Sequence, residues 1–124
     1  MSQHHFTSPE QAKKLLELGV PKTSADMYCF RDIAGNLYYN MVPSWQPIFS
    51  KQRFWDNFPH DYDPIWSVGQ LQWIIKVCAI DEEKKEKIFT ALGIWPGPQI
   101  EFLVLEFLNN DPINPIIDLS KLKD

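Results

Sequence analysis

The sequence predicts a single α+β domain spanning residues 1–124, in which a small antiparallel β-hairpin or sheet packs against three to four helices. Three observations carry that prediction. Aromatic and β-branched runs flank a short Ala34-Gly35-Asn36 loop, which is a hairpin signal. Apolar residues recur at helical spacing near the start of the chain and through its second half. The length suits one core, since typical domains run about 100 to 150 residues.

The first helix, residues 8–18, follows from Ser8-Pro9-Glu10-Gln11, which sets a capping hydroxyl, a proline at the first helical position and a Gln three residues past the cap in register. Ala12, Leu15, Leu16 and Leu18 mark its apolar side, and Gly19 with Val20-Pro21 stops it. The hairpin occupies residues 27–42, with 27–33 paired to 37–42. Alternation sets Met27, Cys29 and Arg31 on one face and Tyr28, Phe30 and Asp32 on the other, and the Tyr28 and Phe30 face is expected to be buried. Asp26 and Asp32 read as turn and cap acceptors.

Residues 43–66 form an aromatic and proline-rich connection, holding seven of the chain's 17 aromatic rings and four of its 10 prolines. Prolines at that density prevent long regular elements, and only a short helical turn near Lys51 to Phe58 is allowed for. The helical part covers residues 67–109. Ser67 and Gln70 repeat the capping pattern before Leu71, Ile74, Ile75 and Cys78 at helical spacing. Asp81-Glu82-Glu83 opens a further helix carrying Ile88, Phe89 and Leu92, which Gly93 closes. Ile100, Leu103, Val104, Phe107 and Leu108, widened by Phe102 and Leu105, predict a helix over 99–109 so apolar that it must lie at the centre. Residues 110–124 form a tail that docks on the surface.

Leu15-Leu16-Glu17-Leu18-Gly19, Thr23-Ser24-Ala25-Asp26-Met27-Tyr28 and Pro64-Ile65-Trp66-Ser67-Val68-Gly69-Gln70-Leu71 resemble a group of short uncharacterised proteins encoded by prophages and mobile elements of gut bacteria. The resemblance covers about residues 10–75 and rests on TxDM and PxWSLxxL motifs. Members of that group continue with β-strands and finish on a helix ending WLLENG, of which Leu105 to Asn110 is a partial echo; the charged stretch Asp81 to Lys87 has no counterpart. The resemblance implies a mobile-element origin and no particular activity. Asp26, Trp66 and Ser67 transfer from it as structural marks.

Composition narrows the function. Leu, Ile, Val and Phe make up 36 residues, enough for a folded core. No segment approaches the roughly 20 apolar residues of a membrane span, and the first residues lack the basic and apolar pattern of a secretory signal. Two cysteines without CxxC spacing suit reduced thiols in the cytoplasm of a bacterial host. Net charge is −4, and neither half carries a basic excess, which disfavours nucleic acid as a partner.

No catalytic signature is present, no cofactor is implied, and Cys29 and Cys78 read as structural thiols rather than nucleophiles partnered by His60. His60, Asp61 and Asp63, with His4 and His5 elsewhere, are weak metal-ligand candidates whose spacing matches no known site. The best binding candidates are Trp45, Phe49, Arg53, Phe54, Trp55, Phe58, Tyr62 and Trp66, because rings and arginine are favoured at protein contacts. Completion of the core by those same rings is an equal alternative. The leading expectation is a non-enzymatic accessory protein acting through an unidentified protein partner or as a homodimer. The alternative is a small-molecule or carbohydrate binder, or a weak hydrolase, with a pocket walled by Trp45, Trp55 and Trp66 and polar groups from His60, Asp61 and Asp63.

Overall fold

A computed structural model describes residues 5–42 and 62–122. Helix α1 (Pro9–Glu17) precedes strands β1 (Met27–Arg31), β2 (Leu37–Met41) and β3 (Tyr62–Ile65). Helices α2 (Val68–Cys78), α3 (Glu82–Gly93) and α4 (Gln99–Leu108) follow. The strands form an antiparallel sheet in the order β2-β1-β3. The predicted α+β class therefore holds, with four helices against one small sheet.

Local chemistry explains the helix boundaries. Ser8 Oγ accepts from Gln11 N at 3.1 Å while Gln11 Oε1 accepts from Ser8 N at 2.9 Å, so two of the orphan donors at the start of α1 are satisfied reciprocally. Gly19, at φ +98°, supplies the left-handed residue that ends it. Ser67 and Asp81 cap α2 and α3 through Gln70 N and Lys84 N. The helix running from Glu82 is thus separate from α2.

Helix α4 is central as its composition requires. It buries Ile100, Phe102, Leu103, Val104 and Phe107 and touches α1, α2 and α3. Against it lie Leu71, Ile74, Ile75 and Cys78 of α2, Ile88 and Leu92 of α3, and Ala12 and Leu15 of α1. Leu16 and Leu18 are exposed, so the buried stripe of α1 is narrower than its leucines suggest.

Three expectations need correction. The buried sheet face is the one carrying Met27 and Cys29, with Ile65 and Val42 beside them; Tyr28 and Phe30 lie on the opposite face, half-buried. Helices already crowd the inner face with leucine and isoleucine, so the compact Met27 and Cys29 side chains fit there and the two rings turn outward. Secondly, residues 62–65 are not connection but strand β3. Pro64 is tolerated because it faces Tyr28, whose backbone groups serve β2, as the alternation from Val42 N→Asp26 O (2.9 Å) requires. Thirdly, Trp66 is wholly buried in the core.

Trp66 sits in a hydrogen-bond network that joins three distant segments. Its indole Nε1 donates to Ser24 Oγ at 3.0 Å, and Ser24 Oγ donates to Pro21 O at 2.6 Å. Its backbone N donates to Thr7 Oγ1 at 3.1 Å, and Thr7 N returns a bond to Trp66 O at 2.9 Å. Next in the chain, Ser67 donates to both carboxylate oxygens of Asp26, from its N at 2.9 Å and from its Oγ at 2.5 Å. Gln70 Nε2 adds a bond to Ser24 O at 2.7 Å.

The tail turns back onto the fold after α4. Asn110 Oδ1 accepts from Ile116 N and Ile117 N while its Nδ2 donates to Ile117 O, so one side chain holds the returning strand as a neighbouring backbone would. Ile117 is buried, and Asp118 N donates to Cys78 O at 2.7 Å.

Replacing Asp26 by Ala strips two charge-assisted bonds from Ser67 and leaves its N–H without a protein acceptor. The expected loss is about 2 to 3 kcal/mol of unfolding free energy. Urea denaturation followed by tryptophan fluorescence measures it, with the midpoint lowered and the slope unchanged.

Candidate functional site

The outer face of the sheet carries a continuous row of rings. From β2 to β3, Tyr38 stacks on Phe30 at 5.4 Å between centroids, Phe30 on Tyr62 at 5.0 Å, and Tyr62 on Tyr28 at 5.0 Å. Strand pairing builds this row, because Phe30 stands opposite Tyr38 on one side and Tyr62 on the other. Alternate positions of β1 place Tyr28 on the same face.

One end of the row is fixed by the hairpin tip. Asp32 accepts from Asn36 N at 2.9 Å, from Asn36 Nδ2 at 3.3 Å and from Tyr38 OH at 3.1 Å. The Asn36 backbone donor comes first among the causes that hold the Asp32 carboxyl below its ordinary value of 3.8, followed in its favour by the Asn36 and Tyr38 side chains. Gly35, at φ +88°, supplies the left-handed residue this turn needs. Beside the acid, Ile33 is fully exposed.

Of the residues singled out from the sequence, Tyr62 belongs to this ring row, whereas Trp66 lies in the core with its indole bonded to Ser24. Trp45, Phe49, Arg53, Phe54, Trp55, Phe58, His60 and Asp61 lie outside the described residues. Asp63 is exposed and lines a groove of about 510 Å³ between α1 and β3, together with Glu10, Lys13 and Leu16. Among the described residues no three His, Cys, Asp or Glu side chains gather as metal ligands. Trp66 is sealed from solvent, so it cannot wall an open pocket with Asp63.

The two thiols are both free and buried. Burial, the larger cause, and the Asp63 carboxylate push Cys29 up to about 11; burial and Asp118 do the same for Cys78, also to about 11. A thiol in that state is a small hydrophobe rather than a nucleophile.

Sequence reading passed over a second surface. On α2, Trp73 is 49% exposed and Val77, one turn on, is exposed on the same side; just past the helix end, where Ala79 is extended, Ile80 is exposed and its N donates to Ile116 O of the tail. Gly69, one turn before Trp73, is also exposed. The spacing of Gly69, Trp73 and Val77 is visible in the sequence. It was masked there by the stronger stripe of Leu71, Ile74, Ile75 and Cys78 on the opposite side.

No protein family, curated protein or solved structure matches the chain. No helix among the described residues is long and apolar enough to cross a membrane.

Two outcomes follow from the titrations. At pH 8 the folded chain is expected to react with a small alkylating reagent at least about 100-fold more slowly than the urea-unfolded chain, since a rise of two pKa units alone cuts the thiolate by that factor; mass spectrometry of the time course measures it. The Asp32 carboxyl is depressed by folding, so its stabilisation of the tip is present above the ordinary aspartate range and is lost as pH falls through the folded value. The protection factor of the Asn36 amide, its exchange rate by NMR set against the intrinsic rate at each pH, is expected to fall on acidification while the amides of α4 stay protected.

Proposed function

We propose that this chain is a small non-enzymatic accessory protein of phage or mobile-element type that works in the cytoplasm of a bacterial host through contact with another protein. The observation that carries the contact reading is the outer stripe of α2. Trp73 and Val77 are exposed one turn apart on α2, and Ile80 and Ile116, bonded backbone to backbone just past its end, are exposed as well, whereas scattered single hydrophobes such as Ile94 and Ile113 are ordinary. An exposed Trp beside aliphatic groups has the composition of a binding hot spot. The rings of residues 43–62 remain part of the proposed contact surface by composition.

Origin rests on the motif resemblance. Thr23 to Met27 and Pro64 to Leu71 carry Ser24, Asp26, Trp66, Ser67 and Gln70, which are the members of one structural network. What those motifs transmit is therefore a way of folding, and they bring no activity with them. The non-enzymatic reading draws support from the two buried thiols, whose raised pKa values suppress the thiolate.

A Trp73→Ser variant is expected to keep its stability within about 0.5 kcal/mol, as a surface change does, and to lose at least about tenfold in affinity for whatever partner the wild-type chain retains from host lysate. Light scattering on the purified chain, run alongside, decides between a second copy and a different protein. Undiminished partner retention by the variant would defeat the assignment to α2.

A further inference from the structure

Helix α4 is the most apolar element of the fold, yet it presents Glu106, half-buried, to a cavity of about 330 Å³. Lys84 and Lys87 of α3 line the same cavity, with Ile88 of α3 and Ile116 of the tail as its apolar surfaces. The charges do not neutralise one another. Lys87 lies 3.4 Å from Glu83 and Lys85 lies 2.7 Å from Glu82, but among the described residues no hydrogen bond or ion pair engages either the Glu106 carboxylate or the Lys84 ammonium.

A carboxylate partly withdrawn from water without a partner carries a cost, and that partial burial alone raises the Glu106 carboxyl above its ordinary value. A carboxylate and an ammonium that line one small cavity without meeting would each be satisfied by a molecule carrying the opposite charges. The buried side of the cavity is aliphatic, because Ile88 is almost fully enclosed. The volume is at the lower end of small-molecule sites, which run from about 300 Å³ upward.

We propose that this cavity binds a small zwitterion with an aliphatic tail, of the α-amino acid class. Its ammonium donates to Glu106, its carboxylate accepts from Lys84, and its tail rests on Ile88 and Ile116. Lys87 stays with Glu83 at the rim. The site is separate from the stripe on α2 proposed for protein contact, apart from Ile116, which borders both.

The test uses the full chain and three probes in an NMR titration at pH 7.5. The probes are leucine, leucine amide, which lacks the carboxylate, and 4-methylpentanoate, which lacks the ammonium. Leucine is expected to give saturable shifts at Lys84, Ile88, Glu106 and Ile116 with a Kd below about 1 mM, and each truncated probe to bind at least tenfold more weakly. Glu106→Gln, which removes an unpaired charge at constant shape, and Lys84→Met are each expected to weaken leucine at least tenfold while leaving the spectrum dispersed. Absence of saturation by leucine at about 10 mM overturns the proposal. So does equal binding of leucine amide, which marks a cation site only, or equal binding of leucine by Glu106→Gln.

Discussion

The contact on which the rest of the structure depends is the one between Asp26 and Ser67. Asp26 uses its backbone carbonyl to accept from Val42 N, which continues the pairing of β1 and β2, and its carboxylate to hold the residue that caps α2. One residue thus ties the sheet to the helix layer. The Ser67 hydroxyl has one hydrogen to give and lone pairs to receive with, and it spends both: it donates to Asp26 and accepts from Gln70 N. Trp66, held between Thr7 and Ser24, then fills the space beneath. A polar network enclosed in this way fixes geometry because every member is satisfied.

That anchoring also decides which face of the sheet looks inward. Strand alternation divides Met27 and Cys29 from Tyr28 and Phe30 without ambiguity, but it does not say which set is buried. Both sets are apolar, and ring size argues for burying the wrong one. The deciding factor is the helix layer, where Leu15, Leu71, Ile74 and Leu103 leave room for a thiol and a thioether but not for two rings. The rings instead stack across the three strands, where a tyrosine hydroxyl reaches the acid of the hairpin tip. Packing of that kind is non-local and is not written in a window of seven residues.

Elsewhere local chemistry was sufficient. Ser8 and Ser67 announce two helices because a cap is a contact within four residues of chain, the acids from Asp81 announce a third through the helix dipole, and Gly19 announces an end because its backbone conformation penalises other residues. Strand β3 could not be read the same way. Tyr62-Asp63-Pro64-Ile65 is four residues with a proline and a charge, and it becomes a strand only because β1 offers a free edge in a register that asks nothing of the Pro64 nitrogen. The aromatic excess after residue 42 was legible as composition, yet its described members part company, with Tyr62 on the outer face and Trp66 in the core.

The tail and α4 show how closing one core creates a second, charged environment beside it. Asn110, just past the end of α4, turns the chain back and clamps Ile116 and Ile117. Ile117 is driven into the core next to Ala79, and Ile116 is thereby left at the margin, where it completes the cavity that holds Glu106. Substituting an apolar residue for Glu106 would extend the stripe of α4 and remove the desolvation cost, so folding alone gives no reason for the carboxylate. Glu101, one and a half turns earlier, is exposed and bears no such cost. A charge kept half-buried and unpaired against aliphatic walls is a local departure from what stability favours, and proteins keep such departures at functional sites.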